Sequence, residues 1–480
     1  MKLPDFAALL HLPNPAIRQI SYGILIGFTL SLSATSLAQY WRVRKREEQL
    51  EKQSSLRPIE LRSDEVLHGV TGLIEASNGT VNKYVGNTPL VRINSLSDAL
   101  GVEILGKAEF LNPGGSVKDR VALRMIEDAE RQGLLHPYTG SRIFEGTVGS
   151  TGISIATIAK ARGYDTTIIM PDDVAEEKVK ALQSLGADVQ RVRPASIIDK
   201  KQNMARQAAV KFGRTDIIEG TEGADISHEM LTGSASVVVT TTSSHVCAEG
   251  TVDDPQDDEL LSKPRGFFAD QFENRSNFDA HYEGTGPEIW RQTNGKVDAF
   301  ISGAGTIAGT GRYIKSMDEN VKVILADPEG SGLYNKVKYG VMYDRKEAEG
   351  TKRRHQVDTV VEGIGINRMT NNIDLALPII DDAYRITDAE AVAMSRYLVQ
   401  HDGLFLGSSS ACNLVACVKL IRQMGWKDGQ TLVTILCDSG SRHYSKFWND
   451  DYLRRANIPI DRTIIEDLIK PSTNGSTAAQ

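Results

Sequence analysis

Short β-branched runs alternate with helical stretches along most of this chain, and the turns from strand to helix are rich in glycine. Residues 141–145 lead through Glu145-Gly-Thr-Val-Gly-Ser-Thr-Gly152 into residues 152–161, whose apolar side chains recur at helical spacing. Residues 165–170 form a second β-branched run, ended by Pro171. Residues 175–185 are again helical, Gly186 stops them, and residues 188–192 read as a strand. Farther on, 297–301, 321–326 and 432–436 read as strands, the first followed by Gly303-Ala-Gly-Thr306. Strands separated by helices of this length imply parallel sheets covered on both faces. Ligands of such sheets bind beyond the carboxyl ends of the strands, where these glycine-rich turns lie.

The chain is long enough for a large core: 480 residues, 40% of them apolar and 24% charged, with only 16 prolines. That composition excludes collagen-like, wholly disordered and multi-span membrane classes. The net charge of −7 is unevenly spread. Residues 1–46 carry six basic side chains (Lys2, Arg18, Arg42, Arg44, Lys45, Arg46) and one acid (Asp5), so they hold +5 and the remainder −12. An acidic body argues against a nucleic-acid partner. Cys247, Cys412, Cys417 and Cys437 have no metal-type spacing and are too few for a disulfide framework, so reduced thiols and no metal are expected.

Residues 19–41 carry no charge, and about 20 helical residues span a bilayer's hydrocarbon layer. Tyr40 and Trp41 stand where an interfacial aromatic pair would, and Arg42, Arg44, Lys45 and Arg46 follow, which places the carboxyl side in the cytosol. The basic cluster follows the apolar run, unlike that of a secretory signal, and the run is too uniformly apolar for a transit peptide. The expected organisation is therefore an N-terminal membrane anchor over 1–46, a charged linker over 47–78, a folded body over 79–458 and a polar tail over 459–480. The stretch at about 233–266, with a β-prone patch and then an acidic run, fits no element and reads as an insertion.

Five pieces carry chemistry. In Asn112-Pro-Gly-Gly-Ser-Val-Lys-Asp-Arg120, Ser116 is expected to cap a helix beginning at Val117, with Asp119 completing a near capping box. Lys118 then falls in the first turn, where outward N–H groups and the helix dipole disfavour an ammonium and favour a nucleophilic amine. Taken alone, a lysine there is usually just solvated. The second turn offers the hydroxyls of Thr147, Ser150 and Thr151 with free N–H groups, suited to a carboxylate or phosphate; a plain strand–helix turn would look much the same. Gly303-Ala-Gly-Thr306 suits a phosphate but is a bare G-x-G. The serines of Gly403-Leu-Phe-Leu-Gly-Ser-Ser-Ser-Ala411 most simply cap a helix, and His443, beside Cys437-Asp-Ser-Gly-Ser441, reads as a satisfied or surface histidine.

Together and in this order, the pieces resemble the pyridoxal-phosphate-dependent cysteine synthase and cystathionine β-synthase family over about residues 80–450. Gly86-Asn-Thr-Pro-Leu90, Gln271-Phe-Glu-Asn274, Thr285-Gly-Pro-Glu-Ile-Trp290 and Asp438-Ser-Gly440 add to the match. With the anchor included, the chain looks most like the fungal mitochondrial outer-membrane branch. The resemblance implies a two-domain α/β fold of type II, tryptophan synthase β-like, preceded by a single transmembrane helix. The smaller, mobile domain would span about 117–225, and the larger one 79–116 with 226–458.

The cofactor implied is pyridoxal 5′-phosphate, joined to Lys118 as a Schiff base and contacted by Ser150, Gly303, Ala304, Gly305, Thr306 and Ser409. Ser409 at the pyridine nitrogen would leave the ring neutral, which suits β-elimination. Thr147, Gly149, Ser150, Thr151 and Gln271 would hold the substrate's α-carboxylate, with Gly363 bordering the pocket. The implied reaction converts O-acetylserine and sulfide to L-cysteine through an aminoacrylate, in a homodimer whose catalytic region faces the cytosol. Two alternatives stand beside it: cystathionine synthesis from serine and homocysteine, for which too few residues follow the last motif to hold the usual regulatory repeats, and a catalytically weakened membrane-bound scaffold. Three departures from the family pattern keep the last one open: Ser150 replaces an asparagine, Val148 replaces a serine, and the third turn is about three residues short.

Overall fold

A computed structural model describes residues 85–192, 199–215, 238–240, 264–343 and 359–470. All of these fall within one compact unit, Val66–Gln480. The expected anchor, the linker and most of the stretch at 233–266 lie outside the described residues. Among the described residues, no helix is long and apolar enough to cross a membrane.

Eleven strands are described: β1 (Leu90–Arg92), β2 (Glu103–Ala108), β3 (Arg142–Gly146), β4 (Asp165–Pro171), β5 (Asp188–Val192), β6 (Val238–Thr240), β7 (Gly266–Phe268), β8 (Ala299–Ser302), β9 (Lys322–Pro328), β10 (Asp382–Ile386) and β11 (Thr431–Leu436). They build two sheets. One has six strands in the order β1-β2-β11-β8-β9-β10, and the other has five in the order β5-β4-β3-β7-β6. Pairing is parallel throughout except at one edge of each sheet, where β1 runs antiparallel to β2 and β6 antiparallel to β7. The principal helices, in chain order, are α1 (Lys118–Arg131), α2 (Ser150–Ala161), α3 (Glu176–Ser184), α4 (Asp199–Thr215), α5 (Ala304–Met317), α6 (Asp388–Asp402) and α7 (Ser408–Met424).

The parallel arrangement explains the composition of the strands. Ala299, Phe300 and Ile301 of β8 are fully buried, as are Leu432, Val433, Ile435 and Leu436 of β11, because helices cover both faces. Val392 and Leu398 of α6 pack with Leu414 and Val415 of α7 against one face of the six-stranded sheet. Ile307, Ala308 and Ile314 of α5 cover the other, against Phe300 and Val323. Each of the valine, leucine, isoleucine and phenylalanine side chains among them contributes about 1.5–3 kcal/mol on transfer from water.

Two expectations need correction. The smaller sheet does not end near residue 225, since β7 pairs with β3 and β6 pairs with β7. Both strands have only three residues, too few to show an alternation, and β6 belongs to the stretch that reads as an insertion. Pro171 does not follow β4 but is its last residue, opposite Val192. At a strand end its missing N–H costs little.

Candidate active site

Lys118 opens α1, one residue later than expected. Its flanking residue Val117 makes no side-chain cap; the Val117 N–H instead donates to the Cys437 carbonyl at 3.0 Å, and Ser116 bridges to Asp438. The capping box is not formed either. Asp119 turns back into the glycine loop, where the Gly114 N–H and the Ser154 hydroxyl both donate to its carboxylate. Burial pushes the Asp119 carboxyl up to about 6 despite those donors. Ser116 Oγ still accepts the Lys118 N–H, at 3.3 Å. The loop is thus tied at both ends, and the lysine leaves it in a defined direction.

That direction leads into a cavity of about 330 Å³ at the carboxyl ends of both sheets' strands. Burial lowers the proton affinity of the Lys118 amine. Its Nζ lies at the start of α5: a Cβ on Gly305 would stand 3.2 Å from it. Gly303, which precedes α5 in extended conformation, and Thr306 line the cavity with Gly305, so the helix's free N–H groups open onto it. Ala304 is the first residue of that helix. Ser409, near the start of α7, also lines the cavity and hydrogen-bonds the Cys437 thiol, which burial pushes up to about 12.

None of the three serines at that helix start caps it. Ser408 Oγ accepts the Glu362 N–H at 3.0 Å, and Ser410 Oγ accepts the Cys437 N–H at 2.8 Å. His443 is a satisfied histidine, with Nε2 3.0 Å from Asp438 Oδ2.

Across the cavity stands the turn between β3 and α2. Thr147, Val148, Ser150 and Thr151 line it, as do Gln271 and, on the rim, Gly363. Gly149 does not. Its φ of +130° suits glycine alone, and its backbone lies flush against Lys178, with any Cβ only 2.6 Å from Lys178 Cδ. Thr151 Oγ1 donates to Gln271 Oε1 at 2.5 Å, and Gln271 Nε2 donates to Glu145 Oε1 at 3.1 Å. Burial raises the Glu145 carboxyl to about 8.

A buried ionic network, missed in the sequence, underlies α1. Arg120 forms paired hydrogen bonds to Glu109, at 2.7 and 2.8 Å, and to Glu288, at 2.7 and 2.7 Å. Lys107 Nζ lies 2.7 Å from Glu288 Oε2 and donates to the Thr88 carbonyl. Asn112 Nδ2 donates to Glu109 Oε2 at 2.8 Å, and Thr88 Oγ1 donates to Glu109 Oε1 at 2.7 Å. Three separate motifs, around Thr88, Asn112–Arg120 and Glu288, therefore meet beneath Lys118. The usable signal was their polarity, since a charged residue inside a strand such as Lys107 needs a partner.

Two parallel-stranded sheets, a lysine amine between them and a helix start aimed at that amine define a cofactor-dependent enzyme. The chain belongs to the family described as pyridoxal-phosphate dependent enzyme, whose pattern it matches over residues 81–223 and 229–438. It is 50% identical over 421 residues to "Cysteine synthase 2" of Schizosaccharomyces pombe, covering 87% of this chain and 91% of that one. A Saccharomyces cerevisiae protein whose name describes a mitochondrial cysteine synthase is 45% identical over 376 residues, 77% of this chain and 84% of its own. Among solved structures, O-ureido-L-serine synthase superposes with a TM-score of 0.58 at 25% identity, over 81% of this chain and 99% of that one.

Proposed function

We propose that this chain is a pyridoxal-phosphate-dependent cysteine synthase that replaces the acetyl-bearing β-substituent of O-acetylserine with sulfide. The observation that carries the reading is the buried Lys118 amine at the mouth of α5, inside a cavity that also presents the Ser409 hydroxyl.

These residues fit the cofactor. Lys118 offers an amine for its aldehyde, the N–H groups after Gly303, Ala304, Gly305 and Thr306 offer a cradle for its phosphate, and Ser409 offers a neutral hydroxyl for its ring nitrogen. When bound, the cofactor withdraws electrons from the amino acid, acidifying the α-hydrogen and easing departure of a β-substituent.

The protein's own groups do the rest. Lys118, its proton affinity lowered by burial, takes the α-proton. Thr147, Ser150 and Thr151 hold the α-carboxylate, while the Gly149 N–H, outside the cavity lining, donates to Thr147 Oγ1 at 3.2 Å, and Gln271 orients Thr151 through the hydrogen bond at 2.5 Å. Glu145 accepts from Gln271 and fixes its amide. Gly363 borders the entrance, and Ser150, which lines the cavity, would contact the cofactor as well as the carboxylate. Val148 and Ser150 supply fewer polar atoms than serine and asparagine would, which favours a slower enzyme over an inert one, because Lys118 and Ser409 are in place.

Membrane attachment through residues 19–41, at the mitochondrial outer membrane with the catalytic region toward the cytosol, rests on the uncharged run and the basic cluster after it. Assembly as a homodimer is part of the same reading.

The test is an assay of the purified full-length protein with O-acetylserine and sulfide, run beside serine and homocysteine. Cysteine formed in the first arm, with visible cofactor absorbance that Lys118→Ala abolishes, supports the reading. Turnover retained in Lys118→Ala overturns it, and cystathionine formed faster than cysteine reassigns the substrates.

A further inference from the structure

The turn that faces the cavity is braced from behind by Lys178, whose partner Glu362 itself lines the cavity. Lys178, in the first turn of α3, has a side chain only 2% exposed. Its stem lies against the backbone of Gly149, where a Cβ would come within 2.6 Å of Cδ and 3.2 Å of both Cβ and Cγ. Lys178 is not among the residues lining the cavity, whereas Val148 and Ser150, on either side of Gly149, are.

The ammonium at the end of that stem pairs with Glu362, whose side chain is 13% exposed. Glu362 belongs to the opposite wall. It immediately precedes Gly363, its N–H donates to Ser408 Oγ at 3.0 Å, and Ser408 adjoins Ser409. Lys446 stands 3.4 Å from the other carboxylate oxygen, and Lys178, His443 and Lys446 together hold the Glu362 carboxyl down at about 2. Glu177, next in sequence to Lys178, accepts the Ser445 N–H at 2.9 Å, so α3 is fastened to the same wall twice.

A lysine stem that fills the space under a glycine of positive φ fixes that backbone in one direction. A buried carboxylate that anchors the stem's far end fixes it in the other. We propose that the Lys178–Glu362 pair is a positioning element: it holds the Thr147–Thr151 turn at a set distance from Gly363 and Ser409, and so sets the affinity for the amino acid's α-carboxylate. The proposal rests on the cysteine synthase reading for the identity of the substrate, but its geometry does not depend on which β-substituent leaves.

The experiment uses the full-length holoenzyme and the variants Lys178→Met, Lys178→Arg, Glu362→Gln and the double variant Lys178→Met/Glu362→Gln. In Lys178→Met and in the isosteric Glu362→Gln, KM for O-acetylserine rises by about tenfold or more, the effect of roughly 1.4 kcal/mol, while kcat stays within about threefold and the cofactor absorbance persists. Lys178→Arg restores KM. The double variant is no worse than the worse single one, because the two side chains act as one unit. Calorimetric binding of L-alanine, which has the carboxylate but no leaving group, weakens in parallel.

Unchanged KM and unchanged L-alanine affinity in folded, coloured variants overturn the proposal. So does a loss of melting temperature or of bound cofactor without any change in KM, which would make the pair merely structural. A wild-type protein that makes no cysteine overturns the substrate assignment alone, since L-alanine binding still tests the pair.

Discussion

At the residue scale the charges beneath Lys118 decide how the site is held. Arg120 lies between Glu109 and Glu288 and, against the burial that would raise them, keeps the Glu109 carboxyl below its usual range and the Glu288 carboxyl well below it. A carboxylate whose proton affinity falls on folding adds stability above its unfolded pKa, about 4.3, and loses it as the pH drops through the lower folded value. Acid therefore dismantles this network, and mild alkali does not. Glu288→Gln leaves Lys107 and Arg120 undercompensated and is expected to cost about 3–5 kcal/mol at neutral pH. Urea melts at pH 7 and near pH 3 check it: the gap to wild type narrows at the lower pH, where Glu288 takes up a proton in the unfolded wild-type chain while the folded network still keeps it ionised. Ser150→Asn tests the other side of the cavity. A longer amide on the same turn is expected to raise kcat/KM for O-acetylserine, and unchanged kinetics would show the replacement to be neutral. Lys118 was legible because a glycine loop, a serine and a helix start surround it within nine residues. Glu109, Lys178 and Glu362 were not, because each acquires its role from a partner between 11 and 184 positions away.

At the element scale the strands and helices with strong periodicity fell where the sequence places them, since β-branched runs bounded by glycine and proline leave little choice of conformation. The strand expected at 188–192 is β5, and the helix expected at 175–185 is α3 to within a residue. What local reading missed was which polar side chains serve their own helix. Thr387 caps α6 with Glu390 reaching back to its N–H at 2.8 Å, a true capping box, whereas the serines opening α7 are spent on Glu362, Cys437 and the strand end. The two cases predict different losses. Thr387→Ala removes a solvent-exposed cap and is expected to cost about 1 kcal/mol with activity unchanged. Ser410→Ala leaves the Cys437 N–H without its acceptor beside the cofactor cavity and is expected to cost about 1–3 kcal/mol. Thermal unfolding measures both, and a larger loss in Thr387→Ala than in Ser410→Ala would contradict this division of roles.

At the scale of the whole molecule, the cavity joins two sheets that share no strand, so whatever binds there also ties one sheet to the other. Removal of the cofactor is therefore expected to lower the melting temperature, and adding it back to raise it with the logarithm of its concentration. The proposed membrane attachment is tested at this scale too. The sequence assigns +5 to residues 1–46 and −12 to the rest. An anionic membrane surface repels such a body and attracts such a segment, so attachment should reside wholly in the first 46 residues. Every residue named in the site lies after residue 84, so a chain lacking residues 1–46 keeps the entire catalytic apparatus. If the proposed anchor holds, it moves from the membrane pellet to the supernatant with kcat and KM unchanged, and high salt does not release the full-length protein, because that reading seats the uncharged run of 23 residues in hydrocarbon. Release of the full-length chain by salt alone would make the attachment electrostatic. A truncated chain that still pelleted with membranes would place the attachment in the acidic body, against its charge.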